Sequence, residues 1–205
     1  MIGHSILVAD DEAKVVDSLS QLLESAGYSV VGAASTGQEA VAMNETLQPS
    51  LVLLDMKMPG MDGLEAAKRM MASRPVPIVA CTAYFQDDMV DEATEAGVYA
   101  YVVKPFRLAD LLPALKVAIT RFEEVEQAKA EVGDLKQALE ARKWVEQAKG
   151  VVMRTRNLSE EQAHRFLQQE SQRQATKLTD LAKAIVTADK TLSPKVGEKQ
   201  NGMAN

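Results

Sequence analysis

Apolar and polar residues alternate in blocks over the first 117 residues of this 205-residue chain. Short apolar runs with the length of buried strands occupy residues 5–9, 29–33, 50–54, 77–81 and 99–103. Amphipathic stretches with helical spacing separate these runs at residues 13–26, 38–47, 63–73 and 87–96. Because strands and helices alternate, the pattern predicts an α/β domain whose parallel sheet has helices on both faces.

From about residue 108 the pattern is helical alone. Val125, Val132 and Leu139 recur every seven residues, and Ala128 and Leu135 occupy the second position of the same seam. This spacing predicts a long helix that forms a short coiled coil. The alternative is a helix that packs on other helices of its own chain, which needs the same apolar stripe.

Two shorter helices are predicted after the long one. The segment from Ser159 to Gln162 has the spacing of a capping box at a helix start. The apolar stripe of the last helix consists of Leu178, Leu181, Ala182, Ile185 and Val186. From Ser193 the chain has little apolar content, which predicts a disordered tail.

Charge is distributed unevenly along the chain. Residues 1–117 carry 8 Lys and Arg against 16 Asp and Glu, a net charge of −8, whereas residues 118–205 carry 15 against 13, a net charge of +2. The acidic first part suits a cation site, and the mildly basic second part permits a polyanionic partner.

Cysteine content and hydropathy limit the class of protein. The single cysteine, Cys81, excludes an internal disulfide and a multi-cysteine zinc site, and we expect it to be a buried, unreactive thiol. The sequence has no signal peptide and no apolar run long enough to cross a membrane. We therefore expect a cytoplasmic protein without membrane contact.

Polar side chains follow four of the five predicted strands. Asp10 and Asp11 follow the first strand, Asp55 the third, Thr82 the fourth and Lys104 the fifth. In a doubly wound sheet these ends meet in one crevice. Because clustered carboxylates repel one another unless a cation lies among them, and because oxygen ligands suit it, Mg²⁺ is the expected ion. Asp55 would be a nucleophile that forms an acyl phosphate, with Lys104 and Thr82 holding phosphoryl oxygens.

This constellation resembles the receiver domain of two-component response regulators. The matching segments are Asp10-Asp11-Glu12, the segment from Leu54 to Gly63, Thr82-Ala83 and the segment from Tyr101 to Phe106. The resemblance implies a flavodoxin-like, doubly wound, five-stranded parallel sheet and phosphorylation of Asp55 by a sensor histidine kinase.

The same resemblance implies further roles. Mg²⁺ would be held by Asp11 and Asp55, by Asp10 often through water, and by the carbonyl of Lys57. Thr82 and Tyr101 would form a switch pair, and the Lys104–Pro105 peptide bond would be cis. An independent explanation for Tyr101 is a half-buried strand residue without a switching role.

A second constellation is basic. Residues 142–156 contain five Lys and Arg against one acid, and Arg142, Lys149 and Arg156 recur every seven residues. On one helix this spacing predicts a basic stripe that could contact several phosphates, and Gly150 would allow a partner to approach closely. A solvated helix face without a partner is the alternative.

The segment from Leu135 to Met153, the segment from Leu158 to Ala163 and the stripe of the last helix together resemble an ANTAR domain, a three-helix RNA-binding module of transcription antitermination regulators. The resemblance implies binding to RNA hairpins in nascent transcripts. The expected RNA contacts are Arg142, Lys143, Lys149, Gly150, Arg154, Arg156 and Arg165. The expected core residues are Ala148, Met153, Ala163, Leu167, Leu178 and Ala182. Residues 168–176 are more polar than in the family, which leaves the start of the last helix open.

These observations predict four segments: a receiver domain at 1–118, a helical linker or coiled coil at 119–134, a small all-α ANTAR domain at 135–190 and a tail at 191–205. The predicted function is phosphorylation-controlled RNA binding and antitermination, with a homodimer possible after phosphorylation. The chain would not be an enzyme, apart from accepting a phosphoryl group and slowly hydrolysing it. One alternative is a relay whose helical part binds a protein, and a DNA-binding helix-turn-helix ranks last.

Overall fold

The computed structural model describes residues 4–83 and 87–192 of the chain. The predicted tail from residue 193 onward lies outside the described residues. The chain divides into two compact units, residues 1–128 and 129–205.

The first unit contains a parallel five-stranded sheet in the order β2-β1-β3-β4-β5. Its strands are β1 (Ser5–Ala9), β2 (Ser29–Ala34), β3 (Leu51–Asp55), β4 (Ile78–Thr82) and β5 (Val98–Val103). Its connecting helices are α1 (Ala13–Ser25), α2 (Gly37–Leu47), α3 (Gly63–Ser73) and α4 (Asp87–Glu95). The predicted doubly wound α/β fold is confirmed.

Alternating side chains of the central strands divide the core between the two faces of the sheet. In β3, Val52 and Leu54 pack with α2 and α3 on one face. Leu51 and Leu53 pack on the other face with α1 and with the start of the helix that follows β5. Since β3 is buried along its whole length, its apolar run is continuous rather than alternating with polar residues. Full burial of each such leucine stabilises the fold by roughly 1.5–3 kcal/mol.

The strand order places the topological switch between β1 and β3. The chain leaves β1 towards β2 on one side, whereas β3 leads to β4 and β5 on the other. The crevice at this point lies outside the carboxyl ends of the strands, where ligands bind in open α/β sheets. Asp10 and Asp55 lie at the ends of these two strands.

The second unit is helical in its described part. Helix α5 (Leu108–Arg156) passes from the first unit into the second and is followed by α6 (Glu160–Arg173) and α7 (Leu178–Leu192). The capping box predicted at Ser159 is present at the start of α6. The turn before α7 contains Ala175 at φ 51°, and α7 begins at Leu178, the position that the sequence left open. The predicted long helix followed by further helices is confirmed.

The core of the second unit contains buried apolar residues from all three helices. Its fully or almost fully buried members are Ala148, Val151, Val152, Ala163, Leu167, Leu181, Ala182 and Val186. Met153 and Leu178, which the sequence also assigned to this core, are partly buried against it. No helix in the described part of the chain carries an apolar segment sufficient to cross a membrane.

The seam residues of α5 lie at the surface. Leu135 and Leu139 are 72% and 68% exposed, and Val125 and Val132 are 39% and 52% exposed. A second helix would cover this stripe in a coiled coil. The coiled coil therefore stays a prediction, and Leu135 and Leu139 do not have the burial that packing within the chain would require.

Replacement of Leu53 by alanine is expected to lower the free energy of unfolding by about 2–5 kcal/mol, because the side chain is fully buried in the central strand. Leu47→Ala is the matched control, since Leu47 at the end of α2 is 43% exposed, and a loss of only about 0.5 kcal/mol is expected there. Urea titration of the full chain measures both values. Equal losses would contradict the assignment of β3 to the core.

Candidate functional site

Asp55 is the last residue of β3 and lies at the carboxyl edge of the sheet. It is 5% exposed. One carboxylate oxygen, Oδ2, accepts a hydrogen bond of 3.0 Å from Lys104 Nζ, and the other, Oδ1, accepts a bond of 3.3 Å from the backbone N–H of Lys57. The end of β3 therefore holds the Asp55 carboxylate at a fixed position in the crevice.

Lys104 lies between two carboxylates. Its Nζ is 3.0 Å from Asp55 Oδ2 and 2.6 Å from Asp10 Oδ2, and its side chain is 16% exposed. Burial of the ammonium lowers the pKa of Lys104, but the carboxylates of Asp10 and Asp55 more than offset this effect, so the pKa is raised above its ordinary value. Lys104 therefore carries its positive charge throughout the neutral pH range.

Three carboxylates meet at this edge. Oxygen atoms of Asp10, Asp11 and Asp55 lie within 4.8 Å of one another, with Asp11 exposed and the other two buried. Asp10 Oδ1 accepts a hydrogen bond of 3.0 Å from Glu12 N–H, whereas the buried Oδ2 meets no donor in hydrogen-bonding geometry despite its close ion pair with Lys104. Three clustered carboxylates, of which only Asp11 is exposed to solvent, form a set of oxygen ligands that fits Mg²⁺, which keeps several of its waters.

The remaining predicted receiver residues lie on β4 and β5 or beside them. Thr82 ends β4, one residue after Cys81, which is paired in register with Asp55. Tyr101 on β5 is half-buried, and its hydroxyl lies 3.3 Å from Thr94 Oγ1. The Lys104–Pro105 peptide bond is cis, as the resemblance implied. The structure thus places Asp10, Asp11, Asp55 and Lys104 together, with Thr82 at the end of the adjacent strand.

Gly63 is a residue of this site that the sequence did not single out. A Cβ atom at Gly63 would lie 2.2 Å from the backbone oxygen of Asp55 and 2.7 Å from Met56 Cα. The glycine therefore lets the start of α3 pack directly on the end of β3, where Gly63 N–H donates to the backbone oxygen of Met56. Asp62 caps the same helix by accepting from Glu65 N–H at 2.8 Å.

Cys81 is buried beside the acid site. Burial raises the pKa of the Cys81 thiol, and the negative charge of Asp55 raises it further. The thiol is therefore protonated at neutral pH, which agrees with the expected unreactive cysteine.

The basic residues of the second unit have different environments. Arg142 and Lys143 are exposed, Arg154 pairs with Asp189 at 3.0 Å, and Arg165 pairs with Glu161. Arg156 lies over the ring of Phe166, with its guanidinium carbon 4.2 Å from the ring centroid.

Lys149 departs from the expected basic stripe. Its side chain is only 10% exposed, and Nζ lies 2.8 Å from Glu146 Oε2 and 2.7 Å from Glu160 Oε1. Hydrogen bonds from Nζ to Glu146 and Glu160 raise the pKa of Lys149. Arg142 and Arg156 are exposed, whereas Lys149 is buried, so the prediction of a continuous exposed basic stripe through these three positions is wrong. The neighbouring Gly150 has open space, because no atom lies within 4 Å of the position of a Cβ there.

Comparison with known proteins assigns both units. The model of the response regulator receiver domain matches residues 6–116, and the model of the ANTAR domain matches residues 133–186. The chain is 40% identical over 185 residues to the transcriptional regulatory protein PdtaR of Mycobacterium tuberculosis, with 90% of each chain covered. It is 38% identical over 115 residues to the chemotaxis protein CheY of Thermotoga maritima, which covers 56% of this chain and 96% of that protein.

Solved structures agree with the fold of the first unit. The CheY-like receiver domain protein of Methanospirillum hungatei superimposes with a TM-score of 0.55 at 32% identity, over 60% of this chain and 98% of that protein. The receiver domain of a response regulator NarL from Mycobacterium tuberculosis gives a TM-score of 0.54 at 26% identity, over 57% of this chain and 96% of that one.

Replacement of Gly63 by alanine is expected to destabilise the first unit by about 1–3 kcal/mol, because the new Cβ would overlap the backbone of Asp55. The control is Gly133→Ala in α5, where no atom lies within 4 Å of a Cβ and alanine should add about 1 kcal/mol of helix stability. Urea titration measures both changes. A Gly63→Ala protein as stable as the parent chain would refute the close approach of α3 to β3.

Proposed function

This chain belongs to the response regulators that join a receiver domain to an ANTAR domain, and from that membership we propose that a sensor histidine kinase phosphorylates Asp55 to control RNA-hairpin binding. Both resemblances drawn from the sequence are confirmed by the family matches. The observation that carries the proposal is Asp55 at the switch point of the sheet, held by Lys104 beside two further carboxylates. The output is transcription antitermination.

The proposed chemistry is transfer of a phosphoryl group from a histidine of the kinase. A carboxylate oxygen of Asp55 forms the new bond to phosphorus while the bond to the histidine nitrogen breaks and its electron pair stays with that nitrogen. Lys104 Nζ, already 3.0 Å from Asp55 Oδ2, would hold a phosphoryl oxygen. Asp10, Asp11 and Asp55, with the carbonyl of Lys57, would hold Mg²⁺, which neutralises charge on the phosphoryl group when bound. The chain itself would only accept this group and slowly hydrolyse it.

Thr82 and Tyr101 are the proposed switch. Thr82 ends β4 next to the residue paired with Asp55, which supports a role in which its hydroxyl donates to a phosphoryl oxygen. Tyr101 and Lys104 line the same open cleft of about 720 Å³, which gives the half-buried tyrosine ring room to change position. Movement of both side chains would alter the surface formed by β5 and the start of α5 and bias a two-state equilibrium.

The proposed RNA contacts are the exposed cations of the second unit. Arg142, Lys143, Arg154, Arg156 and Arg165 are exposed, and Gly150 leaves space for a backbone to approach. Lys149 has a different proposed role. Its ion pair with Glu160 connects α5 to the start of α6, its pair with Glu146 lies within α5, and together they would position the neighbouring cations. Phosphate contacts of this kind make binding weaker as salt concentration rises.

Association with another helix is the second candidate, favoured by one observation. Leu135 and Leu139 are more than two-thirds exposed on α5, and exposed apolar stripes of this kind pair in coiled coils. A homodimer formed after phosphorylation would combine this contact with RNA binding. In the protein-relay alternative, this apolar stripe would instead bind a different protein. For RNA binding to nascent transcripts, a cytoplasmic location is the consistent one.

Asp55 should be the single site of phosphorylation. With acetyl phosphate and Mg²⁺, the parent chain is expected to gain the mass of one phosphoryl group, because Asp55 is the acceptor. Asp55→Asn should gain none, and removal of Mg²⁺ with a chelator should also abolish the gain. Intact mass spectrometry measures it. Asp17→Asn is the control, since Asp17 is exposed on α1, and phosphorylation of Asp55→Asn at the parent level would refute the proposal.

Gly150 and Gly133 provide a matched pair for the RNA interface. Each is a glycine inside α5 with no atom within 4 Å of a Cβ, so alanine should fit at both without loss of stability. If RNA approaches the helix at Gly150, Gly150→Ala should weaken RNA binding about tenfold by steric overlap. Gly133→Ala should leave it unchanged. Electrophoretic mobility shift with hairpin RNA measures both, and equal affinities would remove Gly150 from the interface.

A further inference from the structure

An open cleft lies between the end of α5, α6 and the middle of α7 in the second unit. Its volume is about 530 Å³, which is within the range of small-ligand sites. The lining residues are Val152, Thr155, Arg156, Phe166, Glu170, Arg173, Gln174, Leu181 and Ile185. The sequence assigned a function to only one of them, Arg156.

The cleft has an apolar floor with a planar cation beside it. Val152 and Leu181 are 3% and 8% exposed, and Phe166 and Ile185 are half-buried. The guanidinium of Arg156 lies 4.2 Å from the centroid of the Phe166 ring. Both a guanidinium plane and an aromatic ring are surfaces on which nucleobases stack.

Other lining residues supply hydrogen-bond donors that one carboxylate holds in place. Glu170 is 19% exposed at its side chain and accepts from Arg173 Nε at 3.0 Å, from Arg173 Nη2 at 2.6 Å and from the amide of Gln174. Hydrogen bonds from Arg173 and then Gln174 lower the pKa of Glu170 to about 2, so the carboxylate stays ionised and keeps both donors oriented. An arginine has five N–H groups, and Glu170 uses two of those of Arg173, which leaves donors for a ligand.

We propose that this cleft binds one unpaired nucleobase of an RNA loop, stacked beside Arg156 and Phe166 and hydrogen-bonded by Arg173 and Gln174. The inference rests on the RNA binding proposed above and names the part of the RNA that the second unit reads. A purely aliphatic ligand would leave these polar groups desolvated without partners, whereas the edge of a base carries acceptors for them. The two arginines outweigh the single carboxylate, so the cleft also suits the phosphates on either side of the base.

A coupled substitution in protein and RNA tests the proposal. The probe is a set of hairpin RNAs selected from a library with a randomised loop, bound to the full-length phosphorylated protein. In the selected hairpin each loop nucleotide is replaced in turn by an abasic one. At one position the abasic RNA is expected to bind about tenfold more weakly, because the stacking and the hydrogen bonds of one base are both lost.

Arg173→Ala should reduce this penalty, since the base then loses its hydrogen bonds to Arg173 but keeps its stacking beside Arg156 and Phe166. Arg165→Ala is the matched control, because Arg165 lies on the same helix and also pairs with a glutamate one turn before it, but does not line the cleft. The control should keep the full abasic penalty even if its affinity for every RNA is lower. Thr155→Trp, at an exposed lining position, should block the cleft and remove the penalty independently.

The outcomes separate the two proposals. If Arg173→Ala and Thr155→Trp remain folded by circular dichroism and keep the abasic penalty of the parent chain, the cleft does not hold a base and this inference is overturned. A uniform loss of affinity over all abasic RNAs in Arg173→Ala would overturn it as well, since only a phosphate contact would then be present. If the parent chain binds no hairpin of the library, the proposed RNA-binding function fails together with it.

Discussion

The balance of charge among Lys104, Asp10 and Asp55 is the constraint on which the first unit depends. Both carboxylates are at most 5% exposed, and removal of the lysine would leave them buried without a counter-charge, which costs about 3–5 kcal/mol for a single broken pair. The strand order makes the arrangement possible. β1 and β3 are neighbours and bring the two acids together, while the long side chain of Lys104 reaches them across β4. Every helix that packs on these strands helps to hold the three groups in place.

The second unit uses a similar arrangement for a different purpose. Lys149 also lies between two carboxylates, but Glu146 is on α5 itself, and only the ion pair with Glu160 links α5 to the start of α6. At the sheet edge an incoming phosphoryl group changes the balance of charge, whereas the triad around Lys149 contains no acceptor for such a group in the proposed mechanism. In the proposed mechanism Lys104 therefore responds to the phosphoryl group, whereas Lys149 maintains the geometry of α5 and α6.

The fold and the acid site follow from patterns that local sequence carries. Each strand ends at, or one residue after, the end of its apolar run, and parallel strands necessarily bring Asp10, Asp55 and Lys104 to one edge. The burial of Lys149 could not be predicted in this way, because its partner Glu160 lies beyond a turn, eleven residues along the chain. Nothing in the local sequence distinguishes a buried lysine on a helix from an exposed one. Gly63 was missed because an Asp-Gly pair is found at helix starts both with and without a close contact to another backbone segment. The cleft among α5, α6 and α7 depends on packing of three helices, which periodicity does not specify.

The buried thiol of Cys81 has a consequence for the selectivity of the input. Cysteine thiolates are strong nucleophiles and soft metal ligands, and this one is paired in register with Asp55. Because burial keeps the sulfur protonated and covered, it competes with the carboxylate neither for an electrophile nor for a hard cation, and peroxide has no thiolate there to oxidise. The Cys81 thiol therefore adds no reactivity towards oxidants beside Asp55, so that in the proposed mechanism the carboxylate is the only nucleophile of this pair.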